Sequence, residues 1–158
     1  PGGYAADIEE RVDLGMALCM EWRIFEGLIA ALWNKQSFKT CYCTPGTNDQ
    51  GVDVVAMSGK EGVLVQTKTS SNEGAKLGWE TVKDVVGGEA FYKHRHPEVK
   101  FKKVGVTNQF FNDQAHLQAE LNDVALVDQA GLGELLAQFP VTMLDVERML
   151  YSDWGDKQ

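Results

Sequence analysis

The sequence predicts an α/β fold: a mixed central β-sheet with helices on its faces. Three observations carry this. Two runs, GVDVVAMS and GVLVQTKT, flank a Gly59-Lys60 turn and are rich in β-branched and aliphatic residues, as buried strands are. Behind this hairpin, helical and strand-like stretches alternate, the pattern of strands joined by crossover helices. No linker, repeat or low-complexity tract interrupts the 158 residues, which suit a single domain.

The elements follow in order. Residues 7–20 and 22–36 read as helices. In the second, Trp22, Phe25, Leu28, Ile29, Leu32 and Trp33 recur at helical spacing and form one apolar face. SFKTCYCT is a short strand, closed by the turn signal Pro45-Gly46. The hairpin comes next, then a helix over 78–93. FKKVGVTN reads as a strand, NDQAHLQAEL as a helix, VALVD as a strand and GLGELLAQF as a helix. Pro140 stops that helix, and TMLDVERMLY forms a last one before a polar tail.

Composition excludes several classes. At 44% hydrophobic and 24% charged residues the chain reads as a soluble globule. No apolar run approaches the ~20 residues of a membrane span, so no membrane partner is expected. The opening Pro1-Gly2-Gly3, without an initiator Met, reads as the start of an excised piece. Three cysteines argue against a disulfide framework and for a reducing cytoplasm. CYC at 41–43 lacks zinc spacing, so buried, inert thiols are expected there. VVGGEA lies within a helix and has no following Gly-Lys-Ser/Thr, so it is no phosphate loop. Its glycines suit close approach of a neighbouring helix or a DNA backbone.

The net charge of −8 is the wrong sign for a nucleic-acid binder, but it is unevenly spread. FYKHRHPEVKFKK, residues 91–103, holds Lys93, Arg95, Lys100, Lys102 and Lys103 against the single acid Glu98. The run is either a solvated loop at a helix end or a patch that contacts DNA phosphates.

The polar residues of the hairpin pose the functional question. A type II′ turn takes glycine at its first central position, here Gly59. Closing there pairs Ser58 with Glu61 and, further out, Asp53 with Gln66. Lys68, two residues beyond Gln66, shares its face. One choice of turn thus gathers a carboxylate, an amide and an ammonium. Such a group either holds Mg²⁺ beside a lysine, for hydrolysis of a phosphodiester, or is a cross-strand salt bridge at the sheet's edge.

D-x(12)-Q-x-K on a hairpin resembles the PD-(D/E)xK nuclease signature. With the preceding GVDVVA it resembles the Mrr-type restriction endonuclease catalytic domain, in its QxK variant. FEGLIAALW, NDQGVD, GVTNQFFNDQA and VALVDQAGLGELL resemble that family's opening helix, its turn into the catalytic strand, its Val-Thr strand with following helix, and its closing strand and helix. The resemblance implies a restriction-endonuclease-like fold with an extension helix at 1–21, the nuclease domain at 22–138, and a helix and tail at 139–158. It implies an Mg²⁺- or Mn²⁺-dependent endonuclease acting on DNA in prokaryotic restriction or phage defence, as an oligomer or beside a separate recognition or sensor module. Asp53 becomes the main metal ligand, Gln66 a neutral ligand or water-orienting amide, and Lys68 the catalytic lysine. Glu26 matches the helix glutamate, and charge agrees, since Gln66 leaves Asp53 without a second acid. Asp49 also falls at a family-like position, where it caps or tightens the turn. A non-catalytic nucleic-acid-binding or assembly domain and a junction resolvase are the competing readings.

Overall fold

Residues 9–45 and 50–151 are described by the computed structural model. The hairpin sets its frame. Strand β2 (Val54–Ser58) pairs antiparallel with β3 (Glu61–Lys68), with Ser58 opposite Glu61 and Val54 opposite Val65. Gly59 has a φ of 62° and Lys60 does not share the positive sign, as a type II′ turn requires. The register predicted from the turn is the one observed. β1 (Thr40–Cys43) adds antiparallel to β2, while β5 (Lys100–Thr107) and β7 (Val124–Val127) extend the other side in parallel. The sheet order is β1-β2-β3-β5-β7.

Alternation of side chains along these strands builds two cores. On one face Val54, Val63, Val65, Val104 and Val106 pack with helices α2 (Trp22–Asn34), α5 (Gln129–Gln138) and α6 (Met143–Leu150). On the other, Val55, Leu64 and Phe101 meet α3 (Glu80–Arg95) and α4 (Asp113–Leu121). Helix α2 is buried continuously from Phe25 to Trp33, because the sheet lies on one side and α6 on the other.

Several helix starts have a visible cause. Asn112, Asp128 and Thr142 each accept a backbone N–H of the first turn, and Thr142 with Asp145 forms a capping box. Two differences from the sequence reading stand out. Of the helix predicted over 7–20, residues 7 and 8 lie outside the described residues, and residues 10–13 are not helical but lead into α1 (Leu14–Leu18): Asp13 caps it, and Arg11 bridges in extended form to Thr142. Val12 is drawn into the core there, its N–H bonded to the Val141 carbonyl at 2.7 Å. A second small sheet, β4 (Lys76–Leu77) with β6 (Phe110–Phe111), was not predicted, since two-residue strands carry no periodic signal.

Candidate active site

Asp53 sits one residue before β2 and is held from several directions. Its N–H donates to the Val65 carbonyl (2.8 Å), and its carbonyl accepts from Thr44 N–H (2.9 Å). Its carboxylate Oδ2 accepts from both the backbone N–H and the hydroxyl of Thr67, each at 2.9 Å. The Gln66 amide satisfies its surroundings in one orientation: its nitrogen donates to Asp53 Oδ2 (3.1 Å) and to the Gly51 carbonyl (2.9 Å). The amide oxygen is thereby turned away from the carboxylate. Asp53 is 6% exposed, a buried acid seated by the hairpin's own register.

Glu26 reaches the same place from α2. It is 4% exposed, and Arg23 one turn earlier donates to its Oε1 (3.1 Å) and to the Thr44 carbonyl (3.1 Å). Together Glu26, Asp53, Gln66, Thr67 and Lys68 line a cavity of about 340 Å³, with Trp22, Thr69 and Asp84 completing the wall. Lys68 lines it from an exposed position at the end of β3. The segment after Lys68 is pinned by Asn108, which accepts from Ser70 N–H (2.9 Å) and donates to the Ser70 carbonyl (3.0 Å).

Two glycines place the Asp53 turn against α3. A Cβ on Gly88 would collide with the Gln50 carbonyl oxygen, and one on Gly51 with the Asp84 carbonyl. Gly51 also has a φ of 80°, which suits glycine. The neighbour that VVGGEA admits is therefore the turn leading into Asp53.

Among the described residues no three Asp, Glu, His or Cys side chains converge tightly enough to hold a metal ion by themselves. The donor set still fits a small hard cation. Mg²⁺ takes one or two carboxylates and keeps its waters, and the cavity offers two buried carboxylates, Asp53 and Glu26.

The order of these elements agrees with a known family. A family model for the restriction endonuclease domain Mrr_cat matches residues 17–136. The chain belongs to the Mrr_cat restriction endonuclease family. Two solved structures share the fold of this Mrr_cat chain. One is a protein of unknown function, AF1548, with 21% identity and a TM-score of 0.52 over 75% of this chain and 66% of that one. The other is the MspJI restriction endonuclease in complex with a 27-mer oligonucleotide, with 20% identity and a TM-score of 0.53 over 99% of this chain and 34% of MspJI. The chain spans just under two thirds of the first and about one third of the second. At these identities the likeness is one of fold. No curated protein matches the chain.

Of the residues singled out in the sequence, the Mrr_cat fold brings Asp53, Gln66, Lys68 and Glu26 to one cavity. Asp49 and Gly46 lie outside the described residues. The basic run lies elsewhere. Lys100 and Lys102 pair with Glu61 and Val63 at the turn end of β3, whereas Lys68 pairs with Thr107 at its far end. The seven-residue offset is about 23 Å along the strand. Trp22, expected in the apolar face of α2, is 58% exposed and stands on the cavity wall. Asp84, Arg23 and Thr67 were not singled out. Asp84 comes from a different helix, and Arg23 and Thr67 act through neighbours, so spacing alone gave no signal for them.

Proposed function

We propose that this cavity is the centre of a metal-dependent deoxyribonuclease that hydrolyses DNA phosphodiesters. The convergence of Asp53, Gln66 and Lys68 from the hairpin with Glu26 from α2 carries this reading. Asp53 and Glu26 are the residues that would hold Mg²⁺ or Mn²⁺, while the Gln66 amide nitrogen holds the Asp53 carboxylate. When bound, the ion supplies charge stabilisation and an activated water. Charge argues the same way. Three carboxylates line the cavity beside one lysine, so a phosphate diester would be repelled without added positive charge.

The chain's own groups have distinct tasks. Thr67 and Gln66 fix the direction of the Asp53 carboxylate, and Arg23 fixes Glu26. The Lys68 ammonium, on its exposed stem, meets the phosphate oxygens and stabilises the charge that develops as the bond breaks. Asn108 holds the segment that follows Lys68 and so limits where the ammonium can go.

The setting that suits this chemistry is prokaryotic restriction or phage defence in the cytoplasm. The chain covers about a third of MspJI. We assign sequence reading to a separate module, subunit or second copy. The test is cleavage of supercoiled plasmid with and without Mg²⁺ or Mn²⁺, by wild type and by Lys68→Ala. Metal-dependent cleavage that the variant loses is expected. Absence of wild-type cleavage on linear, supercoiled, methylated and branched DNA would leave a binding domain, and cleavage confined to branched DNA would make it a resolvase.

A further inference from the structure

Among the described residues five large hydrophobic side chains are exposed: Trp22, Phe91, Leu117, Leu121 and Tyr151. Of these, Trp22 alone lines the cavity of the hairpin acids. Nothing local requires an indole there. Trp22 is the first residue of α2, and the cap of that helix is the Glu21 side chain, which accepts from the Ile24 N–H. Helix propensity does not favour Trp either. The other described tryptophans are engaged: Trp33 is buried in the core, and Lys83 lies over the Trp79 ring at 4.9 Å. Among the described residues the ring–ring and cation–ring contacts fall on other side chains, which leaves the Trp22 indole unstacked. One exposed aromatic elsewhere on a surface would need no explanation. This one stands beside the reacting groups.

Helix geometry sets its place relative to Glu26. Residues four apart are surface neighbours with Cβ atoms about 5–6 Å apart, and side chains lean toward the helix N-terminus. Glu26 therefore leans toward Trp22, and the indole stands one turn further out. Exposure gives the depth order: Glu26 and Asp53 are buried and form the floor, whereas Trp22 and Lys68 are exposed and form the rim. A phosphate seated over the floor and met by Lys68 carries its flanking nucleosides at the level of the rim. The one on the α2 side lies beside the indole. An aromatic ring there offers a π-face on which any base can stack. Within a duplex both faces of a base are covered by its neighbours, so a face is free only where the strand is single or has been opened.

We infer that Trp22 stacks on an unstacked base flanking the bond to be cut, so that the site takes DNA that is single-stranded, or opened, at the point of cleavage. The inference rests on the nuclease reading for the identity of its ligand. Stacking on the indole is tolerant of sequence, which suits a chain whose sequence reading is assigned to another module. It also adds affinity without adding charge, in a cavity whose carboxylates repel the phosphate.

The experiment compares two labelled single strands of about eight residues, an oligothymidylate and a chain of equal length that lacks its bases. Their phosphates are equal in number, so electrostatic attraction cancels in the ratio of affinities. Ca²⁺ supplies the positive charge that the acids call for, and gel analysis checks that the strands stay whole. Wild type is expected to bind the thymidylate about 5- to 150-fold more tightly, the range that one stacked base gives. Trp22→Ala is expected to bring the two affinities together, and Trp22→Phe, which keeps a flat ring, to retain most of the preference. Thymidylate is expected to quench the tryptophan emission of wild type more than the abasic chain does, a difference that Trp22→Phe loses. Equal affinities in wild type overturn the contact. So does a preference that survives in Trp22→Ala, or failure of wild type to bind either strand. Should Trp22→Ala fail to fold, an unaltered difference in quenching in Trp22→Phe overturns it instead. Failure of the nuclease reading shows separately, as absence of plasmid cleavage in Mg²⁺ or Mn²⁺ by the wild type.

Discussion

Lys68 stands exposed beside two buried carboxylates, and that contrast gives it a specific test. Lys68→Ala removes one ammonium and leaves the hairpin register untouched, so the fold is expected to be unchanged. Cleavage is expected to drop at least ~10²-fold, the size typical of removing one electrostatic interaction from a transition state. Undiminished cleavage by a folded variant removes Lys68 from the mechanism. The acids divide differently. Asp53→Asn is expected to abolish Mn²⁺ binding in calorimetric titration, and Glu26→Gln to weaken it. Unchanged affinity in Glu26→Gln would leave Glu26 only as the partner of Arg23. At this scale the sequence was legible where the chemistry follows from strand alternation: Asp53, Gln66 and Lys68 share a face by period two. It was not legible where a side chain arrives from another element, as with Asp84. Nor did helical period reveal that Trp22, in phase with the buried Phe25 and Ile29, is exposed on the cavity wall.

Elements were legible where they are long and periodic, and their junctions were not. The hairpin, α2, α3 and β5 lie close to their predicted positions. Residues 10–13, just before α1, depart from helix because Val12 is needed in the core and Asp13 offers a cap. The Gly87-Gly88 pair of α3 shows how an element positions the site. Gly88 packs on the Gln50 carbonyl in the turn that carries Asp53, whereas nothing lies within 4 Å of a Cβ on Gly87. Gly87→Ala is therefore expected to stabilise the protein by about 0.5–1 kcal/mol, through helix propensity alone. Gly88→Ala is expected to cost about 1–3 kcal/mol, as overpacking does, and to lower cleavage by shifting Asp53. Urea denaturation of both variants checks the pair. Equal effects of the two substitutions would mean that the turn is not held by this packing.

Over the whole molecule, the two faces of the sheet bury groups whose charge state is linked to folding. Burial pushes the Cys41 thiol up to about 12, with the neighbouring Cys43 adding to the effect. Cys43 is likewise pushed up to about 12, by burial first, while Arg23 opposes and Glu26 and Asp53 reinforce it. An unfolded thiol ionises near ~8.5. Below that pH both states hold the proton and the thiols' contribution to stability is complete. Above it the unfolded chain releases protons that the folded chain keeps, so stability falls as pH rises towards about 12. The steepest loss is about 1.4 kcal/mol per pH unit for each thiol. The buried Tyr42 phenol, raised mainly by burial, adds to the loss at higher pH. Denaturation of wild type at pH 7.5 and 10 should therefore show a large drop, and Cys41→Ala/Cys43→Ala a smaller one from a lower starting stability. Thiol labelling gives an independent reading of the same burial. Cys19 is exposed and is expected to react in the native protein, while Cys41 and Cys43 wait for unfolding. Equal pH dependence in wild type and double variant, together with rapid native labelling of all three thiols, would show that the sheet does not seal these residues from water.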